Sequence, residues 1–461
     1  TGESLPVDKK QDDTVTGGTL NVSGSFRYRA TRVGNETTLA QIIRLVEHAQ
    51  GSKAPVQRLV DRISAVFVPT VIAISAVTFF VWWAFGPDPA LHFALVNAVA
   101  VLIVTCPCAL GLATPTAIMV GTGRGAEMGI FIRSGETLER VGRLTTVVFD
   151  KTGTLTRGEP VVTGVHAVGT TPAEEVLVLA ASAEARSEHP LGAAVVRNAA
   201  EGSRPLLSCD EFSAEPGHGL RATIGNRVVL IGNAALMHEQ GVRLDAGKSV
   251  AEEIQAKGAT AVFVALDGLL EAVFEIADTP KPHAAEVIAA LKRDGLRVII
   301  LTGDSRRTAE AIASQLGADE VIAEVRPGAK ADYVAALQRN GAVVAMVGDG
   351  VNDAPALAQA DIGIALGTGS DAAMETAGIT LIGGDLRSVR KAIALSRATL
   401  RAIRQNLFWA FIYNVAGIPI AAGVLYPVNG MLLDPMLASA AMAMSSVSVV
   451  TNSLRLRRWN A

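Results

Sequence analysis

The chain contains 461 residues, more than a single hydrophobic core usually serves, and this length predicts several domains. Its formal net charge of −3 shows no basic excess, so we expect no nucleic-acid partner. Three cysteines, two of them separated by a single residue, exclude a disulfide framework. The mean hydropathy of +0.35 is high for a soluble protein, and the apolar residues are concentrated in a few segments.

The first part of the chain is glycine-rich and lacks long apolar segments. Residues 17–34, GGTLNVSGSFRYRATRVG, predict short strands separated by glycine turns. A helical pattern over residues 37–64 then leads into the first apolar segment. Because the chain starts with TGES at residues 1–4 and not with methionine, we expect it to be a fragment whose β-rich first domain is incomplete.

Four apolar segments are long enough to cross a bilayer, which requires about 20 residues. They cover residues 63–85, 93–121, 407–426 and 435–450. The turns at residues 86–92 and 427–435 contain no lysine or arginine, whereas basic residues flank the opposite ends of both pairs. The positive-inside rule therefore predicts two transmembrane pairs with both turns outside and the rest of the chain in the cytosol.

The second apolar segment contains Cys106, Pro107 and Cys108. A proline removes one helical hydrogen bond and opens the helix, and two thiolates beside that break can bind a soft metal ion. In the structural alternative the two cysteines act as small hydrophobic residues. We favour a transport site, because the cysteines flank a proline inside a span and a DKTG motif follows.

Between the two pairs, residues 124–405 alternate short β-branched runs with amphipathic helical patterns, which predicts a doubly wound parallel sheet. The stretch 158–277 is richer in β-patterns and predicts an inserted α+β domain. We divide the chain into residues 1–38, a partial β-rich domain; 39–122, a linker helix and the first transmembrane pair; 123–157 and 278–400, the two parts of the α/β domain; 158–277, the inserted domain; and 401–461, the second transmembrane pair and the tail.

Polar residues follow the predicted strands, at the edge where doubly wound sheets bind their ligands. Asp150 ends the strand in FDKTGTLT, and Thr302 follows the strand that precedes TGD. Asp349 and Asp353 lie in GDGVNDAPAL, and Lys330 follows the strand-like run DEVIAEV. These residues supply a nucleophilic carboxylate, ligands for Mg²⁺, and a hydroxyl and a cation for phosphoryl oxygens. The pattern predicts phosphoryl transfer through an aspartyl phosphate.

The motifs DKTGTLT, TGD and GDGVNDAPAL, in this order, resemble those of the P-type ATPases, whose phosphorylation domain has the haloacid dehalogenase-like fold. The resemblance implies that Asp150 accepts the γ-phosphate of ATP while Thr302 and Lys330 contact the phosphoryl group. TGES is similar to the motif of the family's actuator domain, which implies that Glu3 positions the water that hydrolyses the aspartyl phosphate.

The same resemblance implies a Mg²⁺ site formed by Asp150, the Thr152 carbonyl, Asp349 and Asp353. It also implies that Gly303, Asp304 and Asn352 complete the phosphate end of the site.

The inserted domain resembles the nucleotide-binding domain of the heavy-metal branch of this family. The likeness rests on AEARSEHPLG, EPGHGLRA and IGN. It implies that adenine lies against Glu184 and His189 and that a nearby backbone approaches the nucleotide at Gly217, Gly219, Gly232 and Asn233.

The transported ion is predicted from the second membrane pair. Asp434 is the only charged residue between positions 407 and 454, and it lies in the outer turn, so no mid-membrane carboxylate or lysine is available to balance a divalent ion. The sequences YN and MAMSS resemble those of monovalent copper exporters. The likeness implies that Cys106 and Cys108 share a Cu(I) site with Tyr413, Asn414, Met442 and Ser446, and Ag(I) fits the same soft ligands.

We therefore expect an integral protein of a bacterial plasma membrane, with cytosolic catalytic domains, that uses ATP and Mg²⁺ to export Cu(I). Its expected partners are the lipid bilayer and a Cu(I) donor such as a metallochaperone. The family carries further spans before those of this chain, so we do not expect the fragment to pump alone. The alternatives are a Zn²⁺ or Cd²⁺ exporter, a membrane-anchored phosphatase of the haloacid dehalogenase-like fold, and an inactive gene fragment.

Overall fold

The computed structural model describes most of the chain after residue 54. The described residues are 10, 15, 25, 27–31, 33, 34, 55–106, 108–187, 189–202, 204–215, 218–304, 306–349, 353–367 and 376–460. The predicted actuator domain, residues 1–38, therefore lies almost wholly outside them.

Fifteen α-helices lie within the described residues. They are α1 Pro55–Phe85, α2 Ala90–Val104, α3 Cys108–Glu127, α4 Gly135–Val141, α5 Ala173–Glu184, α6 Pro190–Glu201, α7 Ala234–Glu239, α8 Lys248–Ala256, α9 Ala284–Arg293, α10 Arg306–Leu316, α11 Lys330–Arg339, α12 Ala354–Gln359, α13 Arg387–Ala421, α14 Tyr426–Asn429 and α15 Pro435–Leu454.

The same part of the chain forms thirteen strands. They are β1 Ile130–Ile132, β2 Thr146–Asp150, β3 Thr156–Ala167, β4 Glu211–Glu215, β5 Gly219–Ile224, β6 Arg227–Gly232, β7 Thr260–Leu266, β8 Leu269–Pro280, β9 Arg297–Leu301, β10 Glu320–Ile322, β11 Val344–Gly348, β12 Ile362–Leu366 and β13 Ile379–Leu381.

The chain divides into two compact units. The first comprises Thr1–Leu144, Thr376–Gly383 and Ser388–Ala461, and the second comprises Thr145–Glu375 and Gly384–Arg387. The first unit contains the apolar helices. The second contains the parallel α/β sheet and the inserted α+β domain.

Three segments of the described chain are long and apolar enough to cross a membrane. They are Pro55–Phe85, Ala90–Glu127 and Pro435–Arg458. Three of the four predicted spans thus have the length and composition of a membrane helix, whereas the one at residues 407–426 does not meet that criterion. That segment belongs to α13, which ends at Ala421, and the polar residues Gln405 and Asn406 directly precede its apolar part.

The predicted opening of the second span is present. Helix α2 ends at Val104 and α3 begins at Cys108, so the helical hydrogen bonding is interrupted between them. Pro107, which cannot donate a backbone hydrogen bond, stands in this interval of the sequence and lies outside the described residues.

The second unit contains the predicted parallel sheet. Its strands follow the order β12-β11-β2-β9-β10, and each neighbouring pair is parallel. Every residue of β2, β11 and β12 is buried, as expected for a sheet covered by helices on both faces. Parallel strands end at one edge, so the residues that follow them are brought together there.

The inserted domain is a six-stranded antiparallel sheet in the order β3-β8-β7-β6-β5-β4. One core includes Val176 of α5 and Phe274 of β8, and a second includes Met237 of α7 and Phe263 of β7. Its first and last strands run from Thr156 to Pro280, slightly beyond the predicted limits of 158–277.

Candidate functional site

Asp150 is the last residue of β2, in the middle of the parallel sheet, and only 4% of its surface is exposed. It lies opposite Leu301 of β9, so Thr302 follows at the same edge. Strand β11, on the other side of β2, ends at Gly348 and is followed by Asp349. The sheet register therefore explains why motifs far apart in sequence meet at one site.

Lys330, the first residue of α11, forms ion pairs with the carboxylates of Asp150 and Asp353. Its Nζ lies 2.5 Å from Asp150 Oδ1 and 2.7 Å from Asp353 Oδ1. One carboxylate oxygen each of Asp150, Asp349 and Asp353 lies within 4.8 Å of the other two. Clustered carboxylate oxygens are the donors that Mg²⁺ prefers, so these residues fit the predicted cation.

The electrostatics of the site indicate an excess of negative charge. Burial, with a contribution from Asp353, raises the pKa of Asp150 to about 6, although Lys330 opposes the shift. Burial and Asp353 also raise the pKa of Asp349. Burial lowers the pKa of Lys330, but Asp150 and Asp353 outweigh it and hold the pKa above its usual range. A bound cation would relieve the repulsion among the three carboxylates.

Gly153, the glycine of DKTG, lies closer to the Asp349 carboxylate than a residue with a side chain could. Its φ is +73°, and a Cβ built on it would lie 1.9 Å from Asp349 Oδ2. The Gly153 carbonyl accepts a hydrogen bond from Lys281 Nζ. Burial lowers the pKa of Lys281, against the opposing effect of Asp349 and Asp278. Sequence patterns gave no signal for Lys281, because it follows the inserted domain and lies far from the three motifs.

The TGD residues lie beside Asp150. Thr302 is buried, and its Oγ1 accepts a hydrogen bond of 3.2 Å from the Asp304 backbone N–H. The Asp304 carboxylate lies 2.6 Å from Lys151 Nζ. Asp304, predicted as a phosphate-end residue, is thus an ion-pair partner that joins the TGD turn to DKTG. Thr152 and Gly303 lie in the same two turns.

A cavity of about 320 Å³ in the inserted domain brings together five of the six predicted nucleotide residues, namely Glu184, His189, Gly219, Gly232 and Asn233. The cavity is also lined by Ser187, Glu215 and His218, which the sequence analysis did not select. Three predicted residues, Glu3, Gly217 and Asn352, lie outside the described residues.

The two cavity glycines pair with each other across β5 and β6. A Cβ on Gly219, whose φ is +148°, would lie 2.1 Å from the Ile231 carbonyl oxygen. A Cβ on Gly232 would lie 2.3 Å from the His218 carbonyl oxygen. Glycine is therefore required at both positions by the backbone of this wall itself.

Glu184 and His189 form the chemically distinctive wall of the cavity. Glu184 is 8% exposed, burial raises its pKa, and its Oε2 has no hydrogen-bond partner in the described part of the chain. His189 caps α6, because its Nδ1 accepts from Leu191 N at 3.2 Å, which assigns the ring proton to Nε2. An unsatisfied carboxyl group and an imidazole N–H in one cavity fit a ligand with polar ring edges, such as a purine.

The predicted metal residues lie in the first unit. Cys106 and Cys108 are joined through their sulfur atoms, and their Cα atoms are 5.4 Å apart. Asn414 is 3% exposed, and its Oδ1 has no partner among the described residues. Met442 is also buried, whereas Tyr413 is 38% exposed.

The two serines of MAMSS differ in environment. Ser445 is buried and its hydroxyl has no partner within the described chain, whereas the predicted ligand Ser446 is only half-buried. Ser445 and Ser446 lie three and four residues after Met442, so helical spacing places both near its face and burial alone separates them. The buried, unpaired oxygen makes Ser445 the stronger ligand candidate of the two.

The fold defines a membrane protein whose parallel α/β domain carries three clustered carboxylates and a lysine at its strand ends. Residues 144–361 match the haloacid dehalogenase-like hydrolase family, and residues 1–47 match the P-type ATPase actuator domain.

Curated relatives extend the match over the chain. A probable copper-transporting ATPase PacS of Synechococcus elongatus is 56% identical over 100% of this chain and 61% of its own length. Copper-transporting ATPase 2 of Rhizobium meliloti is 53% identical over 100% of this chain and 56% of its own length. A silver exporting P-type ATPase of Salmonella typhimurium is 48% identical over 99% of this chain and 56% of its own length. The chain thus spans between a half and two thirds of the length of these relatives.

A solved structure agrees with the fold. The crystal structure of a zinc-transporting PIB-type ATPase in the E2.Pi state is 35% identical, covers 92% of this chain and 68% of its own, and has a TM-score of 0.77. The chain belongs to the heavy-metal branch of the P-type ATPases, and it is an integral membrane protein. The predicted family and fold class are confirmed.

Proposed function

We propose that the protein containing this chain exports Cu(I) across a bacterial plasma membrane and that ATP drives export through an aspartyl phosphate on Asp150. The observation that carries the proposal is the buried Asp150 carboxylate at a strand end, 2.5 Å from Lys330 Nζ and clustered with Asp349 and Asp353. The cysteine-flanked opening of the second span supplies the cargo site.

In the first half-reaction, an Asp150 carboxylate oxygen attacks the γ-phosphorus of ATP, the bond to the bridging oxygen breaks, and ADP leaves. Asp150 must be ionised, and Lys330 favours the ionised form against the burial that raises its pKa to about 6. Lys330 and the Thr302 hydroxyl then face the transferred oxygens. Asp150, Asp349, Asp353 and the Thr152 carbonyl would hold Mg²⁺, which would supply charge neutralisation for the phosphate.

The cavity of the inserted domain would hold the adenine of ATP. Glu184 offers an acceptor oxygen and His189 an N–H at Nε2, so both edges of a purine can be recognised. Hydrolysis of the aspartyl phosphate is assigned to a water positioned by Glu3, on the likeness of TGES to the actuator motif.

The cargo assignment rests on ligand chemistry. Two thiols, the Met442 thioether and neutral oxygens suit a soft monovalent ion, and Asp434 in the outer turn is the only charged residue between positions 407 and 454. Relatives named for copper and silver are 48–56% identical, whereas the zinc-transporting structure is 35% identical. We therefore favour Cu(I), with Ag(I) as a second substrate, over Zn²⁺ or Cd²⁺.

The test is metal-dependent phosphorylation of the full-length protein under reducing conditions that keep Cys106 and Cys108 as thiols. Labelled ATP should give an acid-stable, hydroxylamine-sensitive phosphoenzyme with Cu(I) or Ag(I) and not with Zn²⁺. The Asp150→Asn variant is the control and should give none. Hydrolysis of small phosphoesters without any dependence on Cu(I) would instead identify a phosphatase.

A further inference from the structure

A buried amide on α13 links three helices of the membrane unit. Asn406 Nδ2 donates to the Ala113 carbonyl of α3 at 3.0 Å and to Ser453 Oγ of α15 at 2.9 Å. Its Oδ1 accepts from Asn452 Nδ2 of α15 at 2.8 Å. Asn406 and Ser453 are both 0% exposed. Every hydrogen-bonding capacity of the Asn406 amide group except one acceptor lone pair is thereby used within the bundle.

The segment of α3 that Asn406 reaches lacks part of the usual helical hydrogen bonding. The helix begins at Cys108, so its first backbone N–H groups have no partner within the helix. Pro115 lies inside α3 and has no N–H, which removes the helical bond to the Gly111 carbonyl. Ala113 lies between these two points, and its carbonyl accepts a hydrogen bond from Asn406, which ties this segment to α13.

The same helix faces carry the proposed metal ligands. Asn406, Ala410 and Asn414 follow one another at four-residue intervals on α13, and all three are buried. On α15, Ser453 lies eleven residues, or about three turns, after Met442, and both are buried. The polar contacts of Asn406 and the proposed metal ligands therefore lie at two levels along one face of each helix.

A small apolar cluster separates the two levels. It includes Ala113 of α3, Ala410 of α13 and Val449 of α15, together with Ala109 next to Cys108. Packed atoms of this kind transmit a displacement, because interiors have few voids to absorb it. A shift of α3 at Ala113 would accordingly move Cys108 relative to Asn414 and Met442.

We propose that Asn406 is a positioning residue for the metal site. By bridging α3 and α15, it fixes the position of Cys108 along the helix axes relative to the proposed ligands of α13 and α15. The inference rests on the proposed Cu(I) site. Outer contacts that orient ligands typically change metal affinity 10- to 100-fold when removed. Asn406 should act in this manner through a backbone carbonyl, without touching the ion.

The test uses Asn406→Leu in the full-length protein, since leucine keeps the volume and removes both donors. The Cu(I) concentration for half-maximal phosphorylation from ATP should rise about tenfold. Phosphorylation from inorganic phosphate without metal should keep its wild-type level, and X-ray absorption should show an altered Cu–S shell. Ser448→Ala, at an exposed hydroxyl of α15 bonded within its own helix, is the matched control.

Two further variants keep the test decisive. Asn452→Ala leaves the bond to Ala113 in place and should change the Cu(I) dependence less than twofold. If Asn406→Leu does not fold, Asn406→Ser, too short to reach Ala113, should show the same shift. An unchanged half-maximal Cu(I) concentration in a folded Asn406 variant would overturn the inference alone, whereas a wild-type protein that ignores Cu(I) would overturn the proposed function.

Discussion

Lys330 Nζ lies 2.5 Å from Asp150 Oδ1 and 2.7 Å from Asp353 Oδ1, so one ammonium group bridges the proposed nucleophile and a neighbouring carboxylate. All three side chains are buried. The bridge keeps Asp150 ionised in a place where burial and Asp353 favour its neutral form.

The first prediction concerns this ion pair. In Lys330→Ala, phosphorylation from ATP should fall by about 10²- to 10³-fold, because a positioned cation is lost from the site where charge develops. Lys330→Arg keeps the charge and should retain more activity than the alanine variant. Rates of phosphoenzyme formation under saturating ATP and Cu(I) measure both effects.

The pH dependence of phosphorylation shows in which direction Lys330 shifts the pKa of Asp150. A neutral carboxylic acid cannot attack phosphorus, so wild-type phosphorylation should decline as the pH falls through about 6, the pKa of Asp150. Lys330 lowers that pKa, hence its removal should move the acid limb to higher pH. An acid limb that stays in place in Lys330→Ala would contradict the assigned role of the pair.

The second prediction concerns Gly153. In Gly153→Ala the new Cβ would lie 1.9 Å from Asp349 Oδ2, at a φ of +73° that alanine adopts poorly. Asp349 must then move, so the Mg²⁺ concentration for half-maximal phosphorylation should rise at least tenfold, the smallest change expected for a displaced ligand shell. Gly384→Ala, where a Cβ meets no atom within 4 Å, is the control and should behave as wild type.

The strand-end motifs made the phosphorylation site predictable, because parallel pairing fixes which chain positions share an edge. Asp150 and Thr302 could be placed together from sequence for this reason, and the register confirms it. The pairing of Lys151 with Asp304 could not, because it depends on how two turns fold over each other. Lys281 was missed on the same ground, as its contact with Gly153 arises from the chain's return out of the inserted domain.

In the membrane unit the sequence predicted the helix break but not the detailed phase of the helices. Apolar periodicity is weak when both faces of a helix are apolar, so the choice between Ser445 and Ser446 was not available from pattern alone. The contact of Asn406 with Ala113 joins residues 293 positions apart and depends on interhelical register. Helix α13 ends at Ala421, two residues before Gly423, whose φ of +86° departs from the helical conformation.

The third prediction tests the nucleotide cavity. In Glu184→Gln the concentration of ATP for half-maximal phosphorylation should rise about tenfold, the loss expected for one hydrogen bond involving a carboxyl group. Phosphorylation from inorganic phosphate uses Asp150 without the adenine cavity and should be unchanged. Glu201→Gln, at the exposed end of α6, is the matched control. A variant that weakens both reactions equally would point to a structural role for Glu184.

The fourth prediction concerns the cysteine pair. In Cys106→Ser of the full-length protein, Cu(I)-stimulated ATP hydrolysis should fall more than about a hundredfold, beyond the loss expected for an outer contact, because a hydroxyl oxygen replaces a soft thiolate ligand. Cys209→Ala removes the third cysteine, which is buried in the inserted domain, and should leave the stimulation intact. Phosphorylation from inorganic phosphate without metal should persist in both variants. If Cys106→Ser kept its stimulation by Cu(I), the cargo would have to be bound elsewhere, and Asn414 and Met442 would lose their assignment with it.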